Sequence, residues 1–187
     1  MALADELVET TLERRCLDEL RRASGETDGP MERHCVRCFL FVEQLAERRR
    51  VAIDREVSLC AAFIHDGGLY DAISQGGVYT DDGGAYIERL FLEAGAAPER
   101  ARLAAEACAQ HHALRDQSGR GAEVELLRLA DRIEVSGGLV KAGLPRDQIQ
   151  AVFDRVSRVG FYTGVARLLG HALRERPLSV PRIFKTG

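Results

Sequence analysis

The sequence predicts an all-α protein folded as a single-domain helical bundle. Apolar residues recur at helical rather than alternating spacing in almost every segment. Tryptophan is absent and β-branched runs are short, which leaves little that reads as strand. At 187 residues, 45% of them apolar and 29% charged, the chain can close one core without disulfide staples, and it carries no low-complexity tract.

The elements follow in order. A first helix is expected over about residues 4–22, with Leu7, Leu12, Leu17 and Leu20 near one side, ending at the breaker cluster SGETDGP. A second is expected over about residues 31–50, where Val36, Phe39, Leu40, Val42 and Leu45 make a broad apolar face and three arginines, Arg48 to Arg50, suit the negative end of the helix dipole. Asp54 is a natural N-cap for a third, VSLCAAFIHD, which Gly67 and Gly68 should stop. Residues 67–83 hold five glycines and no helical stripe, so they read as the longest irregular stretch, the kind that carries function. Helices resume at about 84–94 and, with Pro98 in the first turn, at about 98–112. EVELLRLADRIEVSG, PRDQIQAVFDRVSR and FYTGVARLLGHALRER each read as one amphipathic helix, and SVPRIFKTG as a loose tail.

Charge and cysteine usage narrow the function classes. Lys and Arg number 26 against 29 Asp and Glu, a net of −3, too little positive field to hold a nucleic acid by counterion release. The segment MALADELVETTLERRC lacks the basic and apolar regions of a signal peptide, and the longest apolar runs are too short to span a bilayer. A cytoplasmic protein with neither membrane nor nucleic-acid partner is the expectation; self-association stays open. The five cysteines, Cys16, Cys35, Cys38, Cys60 and Cys108, are odd in number and irregular in spacing, and read as reduced thiols. Cys35 and Cys38 have the spacing of a redox pair but sit within a helix, not beneath a helix N-terminus that would activate a thiol.

Four polar elements stand on apolar helices: His34, the pair His65-Asp66, the pair His111-His112, and Asp131. A carboxylate among neighbours such as Phe63 and Ile64 is costly unless paired or bound to a cation. Imidazole with carboxylate is the donor set of zinc, iron or manganese. Adjacent helical residues point about 100° apart, so His65 and Asp66 converge on one ion most easily at a helix end, which Gly67-Gly68 supplies. Singly, each motif has an ordinary explanation: a histidine satisfied by backbone, a cationic helix C-terminus, a surface carboxylate beside Arg128 or Arg132. Jointly they point to a metal.

The order His34, His65-Asp66, His111, Asp131, in the contexts HCVR, AAFIHDGG and LADRI, resembles the HD superfamily of metal-dependent hydrolases over about residues 31–135. The resemblance implies a helical bundle in which His34, His65, Asp66 and Asp131 bind the metal. The segments HCVRCFLFVEQLAER, IHDGG, DDGGAYIERLFLEAG, AEACAQHH and GLPRDQIQAVFDRVSRVGF extend it, over about residues 31–176, to the cyanamide-hydratase-like branch, which hydrates a small nitrile. Branch members commonly carry an Arg-Phe-Glu-type segment before the Gly-Ala that matches Gly84-Ala85; here it reads YTDD, with Asp81 at the glutamate and so a candidate substrate contact. Alignment on Gly137 would instead put Glu134 at the last ligand position, but LADRI fits without a gap and favours Asp131. Residues 1–30 then form an N-terminal helix and loop packed on the core, 31–176 the catalytic region, and 177–187 the tail.

On this reading one divalent ion, zinc, iron or manganese, lowers the pKa of its water to about 7. His111 is the expected general acid or base, with His112 as its alternate and Asp66 both ligand and catalytic group. Arg33 and Arg37 flank His34 and are candidates to hold an anionic substrate, Arg37 above all, or else form a solvated helix face; His171 reads as structural. The extra histidine of the di-iron branch is missing between His65 and His111, which favours one metal over two. The substrate is expected to be a small neutral electrophile such as a nitrile; the alternatives are a phosphate ester, or a non-catalytic module that merely contains a metal.

Overall fold

The computed structural model describes residues 2–177, and these form nine α-helices and one 3-10 turn, without a strand. The fold class is therefore all-α, as the helical periodicity predicts. The helices are α1 (Leu3–Leu7), α2 (Thr11–Ser24), α3 (Pro30–Arg49), α4 (Arg55–Ile64), α5 (Tyr79–Glu93), α6 (Pro98–Gln110), α7 (Ala122–Val135), α8 (Arg146–Arg155) and α9 (Phe161–Glu175). No helix among the described residues is long and apolar enough to cross a membrane. Beyond Pro177 the expected tail lies outside the described residues.

The single helix expected over 4–22 is in fact two. Val8 leaves α1 in an extended conformation, and Thr10, also extended, caps α2. The Thr10 hydroxyl accepts from the Glu13 N–H at 3.1 Å, while the Glu13 carboxylate accepts from the N–H groups of Thr10 and Glu9 at 3.1 and 2.6 Å. This reciprocal capping box satisfies donors that a continuous helix would have paired internally, so a local signal in TTLE overrides the longer apolar stripe. Thr10 also donates to Glu56 of α4 at 2.6 Å, which ties the start of α2 to the core. Thr10→Ala is expected to cost about 1–2 kcal/mol, read as a lower urea midpoint at unchanged m-value; unaltered stability would mean that the cap does not hold this helix start.

Helices α3 and α4 form the centre. Thirteen of the twenty residues of α3 and eight of the ten in α4 are buried, so both are enclosed on every side rather than along one stripe. Helix α3 packs on α4, α7, α8 and α9, and α4 packs on α2, α6 and α7. A polar side chain on either helix therefore faces protein, where it needs a partner.

Helix α5 begins five residues earlier than expected, at Tyr79, and takes Gly83 and Gly84 into its body. Their role is close approach. A Cβ at Gly83 would lie 3.1 Å from the Ile64 carbonyl oxygen and 3.3 Å from that of His65; one at Gly84 would lie 2.9 Å from the Ala105 carbonyl oxygen. These glycines seat α5 against the end of α4 and the side of α6, exactly where a local reading takes them for breakers.

All five cysteines are buried, free and helical. Burial pushes the Cys38 thiol up to about 12 and Cys35 well above its usual range, the reverse of a reactive thiolate. His171, on α9, pairs with Asp71 at 3.0 Å.

Candidate metal centre

Four helices bring the polar residues together. His34 rises from α3, Asp131 and Glu134 from α7 packed against it, and the dipeptides His65-Asp66 and His111-His112 stand at the C-terminal ends of α4 and α6. His65 and His111 are each the C-cap of their helix, and each folds back to donate from Nδ1 to the carbonyl three residues earlier: His65 to Ala62 at 2.9 Å, His111 to Cys108 at 2.6 Å. A carbonyl only accepts, so each ring carries its proton on Nδ1 and turns the Nε2 lone pair inward. The same bond satisfies a carbonyl that the helix end leaves unpaired.

His34 reaches the same state through a longer connection. Its Nδ1 lies 2.9 Å from Glu134 Oε2, which leaves Nε2 facing the other groups. Phe161 of α9 stacks on the His34 ring at 4.7 Å between centroids and holds its plane.

The inward atoms converge. His34 Nε2 is 3.1 Å from His65 Nε2, 3.5 Å from Asp66 Oδ2 and 3.6 Å from Asp131 Oδ1. His65 Nε2 is 3.5 Å from Asp66 Oδ2 and 4.0 Å from Asp131 Oδ1, and His111 Nε2 is 3.5 Å from Asp66 Oδ1. Donors about 2.1 Å from one ion stand roughly 3.0–3.4 Å from each other, so most of these spacings are near those of a coordination shell. His111 Nε2 is buried and has no hydrogen-bond partner among the described residues, a cost that a cation would remove. The buried His, Asp and Cys groups here can hold a metal ion.

Charge points the same way. Glu134 is matched by Arg37, whose guanidinium lies within 2.5 Å, and Arg158 donates to the Glu134 backbone carbonyl at 2.7 Å. Burial works against the Glu134 carboxylate, but His34 and Arg37 outweigh it and bring its pKa down to about 2. Asp66 and Asp131 are left as the two carboxylates facing the imidazoles, the charge of one divalent ion. Burial raises Asp131 to about 6 and lowers His65 to about 3, whereas burial of Asp66 is outweighed by His65, His111 and His34, which hold it well below the usual carboxylate range. Burial opposes the His34 cation too, yet Cys38, Glu134 and Asp66 push its pKa well up.

The expected ligands His34, His65, Asp66 and Asp131 are all brought together, and His111 joins them. Asp131 reaches the Nε2 side of His34 while Glu134 stands behind the ring at Nδ1; both are on one face of α7, and only Asp131 is among the converging groups. One expectation fails: Arg37 is fully buried and bonded to Glu134 and to the Ser157 carbonyl, so it braces the centre. Asp81 is exposed in the first turn of α5 and is not among the converging groups; its neighbour Asp82 is buried, accepting from Ser74 and the backbone of Gln75 and Gly77. Arg33 bonds the carbonyls of Asp28 and Val159.

Two contributors were missed, Cys38 and Tyr79. Cys38 follows His34 by four residues and its Sγ lies 3.8 Å from His34 Nε2; helical spacing alone places it on the His34 side. Tyr79 gave no such signal, because its segment read as loop. Its hydroxyl lies 2.5 Å from His112 Nε2, and His112 Nδ1 lies 3.6 Å from Asp131 Oδ2. Burial lowers the His112 pKa to about 2, so the ring is neutral. No protein-family model matches this chain, and no curated protein matches it.

Proposed function

We propose that this chain is a metal-dependent enzyme of the HD type that adds water to a small neutral electrophile such as a nitrile. The observation that carries the reading is the set of three buried histidines, each with Nδ1 occupied and Nε2 turned toward Asp66, with Asp131 facing two of them as well. Histidine ligands oriented by a carboxylate or carbonyl at the far nitrogen are the usual support of a catalytic metal. When bound, a divalent ion supplies Lewis acidity and brings the pKa of water toward about 7.

In this reading His34, His65, Asp66 and Asp131 hold the ion, with His111 as a fifth donor. Proton handling passes from His111 to His112, whose side chain at 23% exposure is the most open of the six. Hydration of a nitrile adds one water across the C≡N bond and gives an amide, so no further co-reactant is required.

The arginines around the centre support a neutral substrate over a phosphate ester, which normally needs several convergent cations. Arg37 is matched to Glu134, Arg128 to Glu125 at 2.6 Å, and Arg132 to the carbonyls of Ala113 and Leu114. Between the His-Asp pair and Gly84 there is no lysine or arginine. The test measures metal content after purification without chelator, then assays the loaded protein on cyanamide and simple nitriles in one arm and phosphomonoesters and nucleotides in the other. Turnover in the first arm is expected, from about one ion per chain. Turnover confined to the phosphate arm overturns the hydratase reading, and a tightly bound metal with no turnover in either arm favours a binding module.

A further inference from the structure

We propose that Tyr79 is a positioning residue that fixes His112 in its Nδ1–H tautomer and thereby gives the two adjacent histidines different jobs. The inference rests on the reading of this cluster as a reactive centre, but its decisive measurement does not.

The two rings are neighbours in sequence, 4.1 Å apart between centroids, yet their surroundings differ. His111 is fully buried, and its Nδ1–H donates to the carbonyl of Cys108, which leaves Nε2 as a lone pair. The Nδ1 of His112 faces the Asp131 carboxylate at 3.6 Å, and its Nε2 meets the Tyr79 hydroxyl at 2.5 Å.

Tyr79 decides the direction. It is 2% exposed, wedged with Leu69 and Ala172 in a small apolar cluster apart from the main core, and His112 Nε2 is the one hydrogen-bond partner its hydroxyl has among the described residues. A buried phenol must donate its proton to an acceptor, so the phenol O–H donates and Nε2 accepts. The His112 proton then sits on Nδ1, directed at Asp131, where a carboxylate favours it. The rings of Tyr79 and His112 lie nearly perpendicular, 6.0 Å apart, which orients the imidazole as well as its proton. His112 thus turns an N–H toward the centre and cannot ligate there through that nitrogen, while His111 turns a lone pair.

Glycines make this possible: Tyr79 reaches His112 because α5 lies close against α4 and α6 at Gly83 and Gly84.

The experiment uses the full chain labelled with 15N-histidine, metal-free and zinc-loaded, with His112→Asn to assign the His112 signals among the five histidines. Two-bond 15N–1H correlation patterns are expected to show His112 protonated at Nδ1 in both states. Tyr79→Phe should abolish that preference, giving a mixed or Nε2–H ring, while leaving zinc stoichiometry unchanged. On whichever substrate the protein turns over, kcat should fall about tenfold with KM within about twofold, a split that a loss of folded protein would not give. A wild-type His112 protonated at Nε2, or a tautomer unmoved by Tyr79→Phe, overturns the proposal. An intact tautomer effect in a protein that turns over nothing leaves the Tyr79–His112 device standing and removes only the enzymatic reading.

Discussion

Asp66→Ala is expected to abolish stoichiometric metal binding and, with it, the gap in thermal stability between metal-saturated and chelator-treated protein. Asp66 is the carboxylate common to the cluster: its two oxygens approach Nε2 of His34, His65 and His111 at 3.5 Å each. Removing it leaves three imidazole nitrogens and the single charge of Asp131. An ion that binds only the folded state stabilises by about 4 kcal/mol at a free concentration a thousandfold above its Kd, roughly 8–16 °C in Tm for a domain of this size. That increment is what the variant should lose. His171→Ala, altering a partly exposed pair with Asp71, should keep both metal and increment. Elemental analysis and paired melting curves with and without metal read the outcome; equal metal content in wild type and Asp66→Ala would mean that the His-Asp pair is not a ligand.

Glu134 and Asp131 should part company when each is changed conservatively. Asp131→Asn is expected to lose the metal, because its carboxylate faces His34, His65 and His112 and supplies half the charge that matches a divalent ion. Glu134→Gln should keep it with affinity about 10–100-fold weaker, the usual effect of altering the group that orients a ligand histidine. Glu134→Ala is the more damaging fold variant: it strands the fully buried Arg37 without its carboxylate, a loss of about 3–5 kcal/mol. Chelator competition gives the affinities and urea unfolding the stabilities. Metal retained in Asp131→Asn but lost in Glu134→Gln would reverse the two assignments.

These variants also mark how far the centre was legible beforehand. His34, His65, Asp66 and Asp131 were readable because a histidine or carboxylate within an apolar helical run is conspicuous wherever it falls. The orientation of His65 and His111 is local as well, since each bond spans three residues of one helix end. Arg37 was misread for the opposite reason. On an isolated helix an arginine beside His34 looks available, and only the burial of α3 on every side, with Glu134 arriving from 97 residues away, commits it. Asp81 rests on analogy of position alone, and the turn of α5 that carries it leaves it exposed.

By itself, then, the sequence determined the all-α class, most of the helices and the identity of the inward polar groups, because periodicity, capping and the cost of burying charge act over a few residues. It also held the Thr10–Glu13 box that splits the first helix, a signal as local as the stripe that concealed it. The tertiary structure alone decided that Gly83 and Gly84 belong inside a helix, that Asp131 rather than Glu134 faces the centre, that Arg37 is a brace, and that Tyr79 holds His112. Each of these depends on how closely two helices approach or which face meets which, and that is set by packing between residues distant in the chain, which no local pattern records.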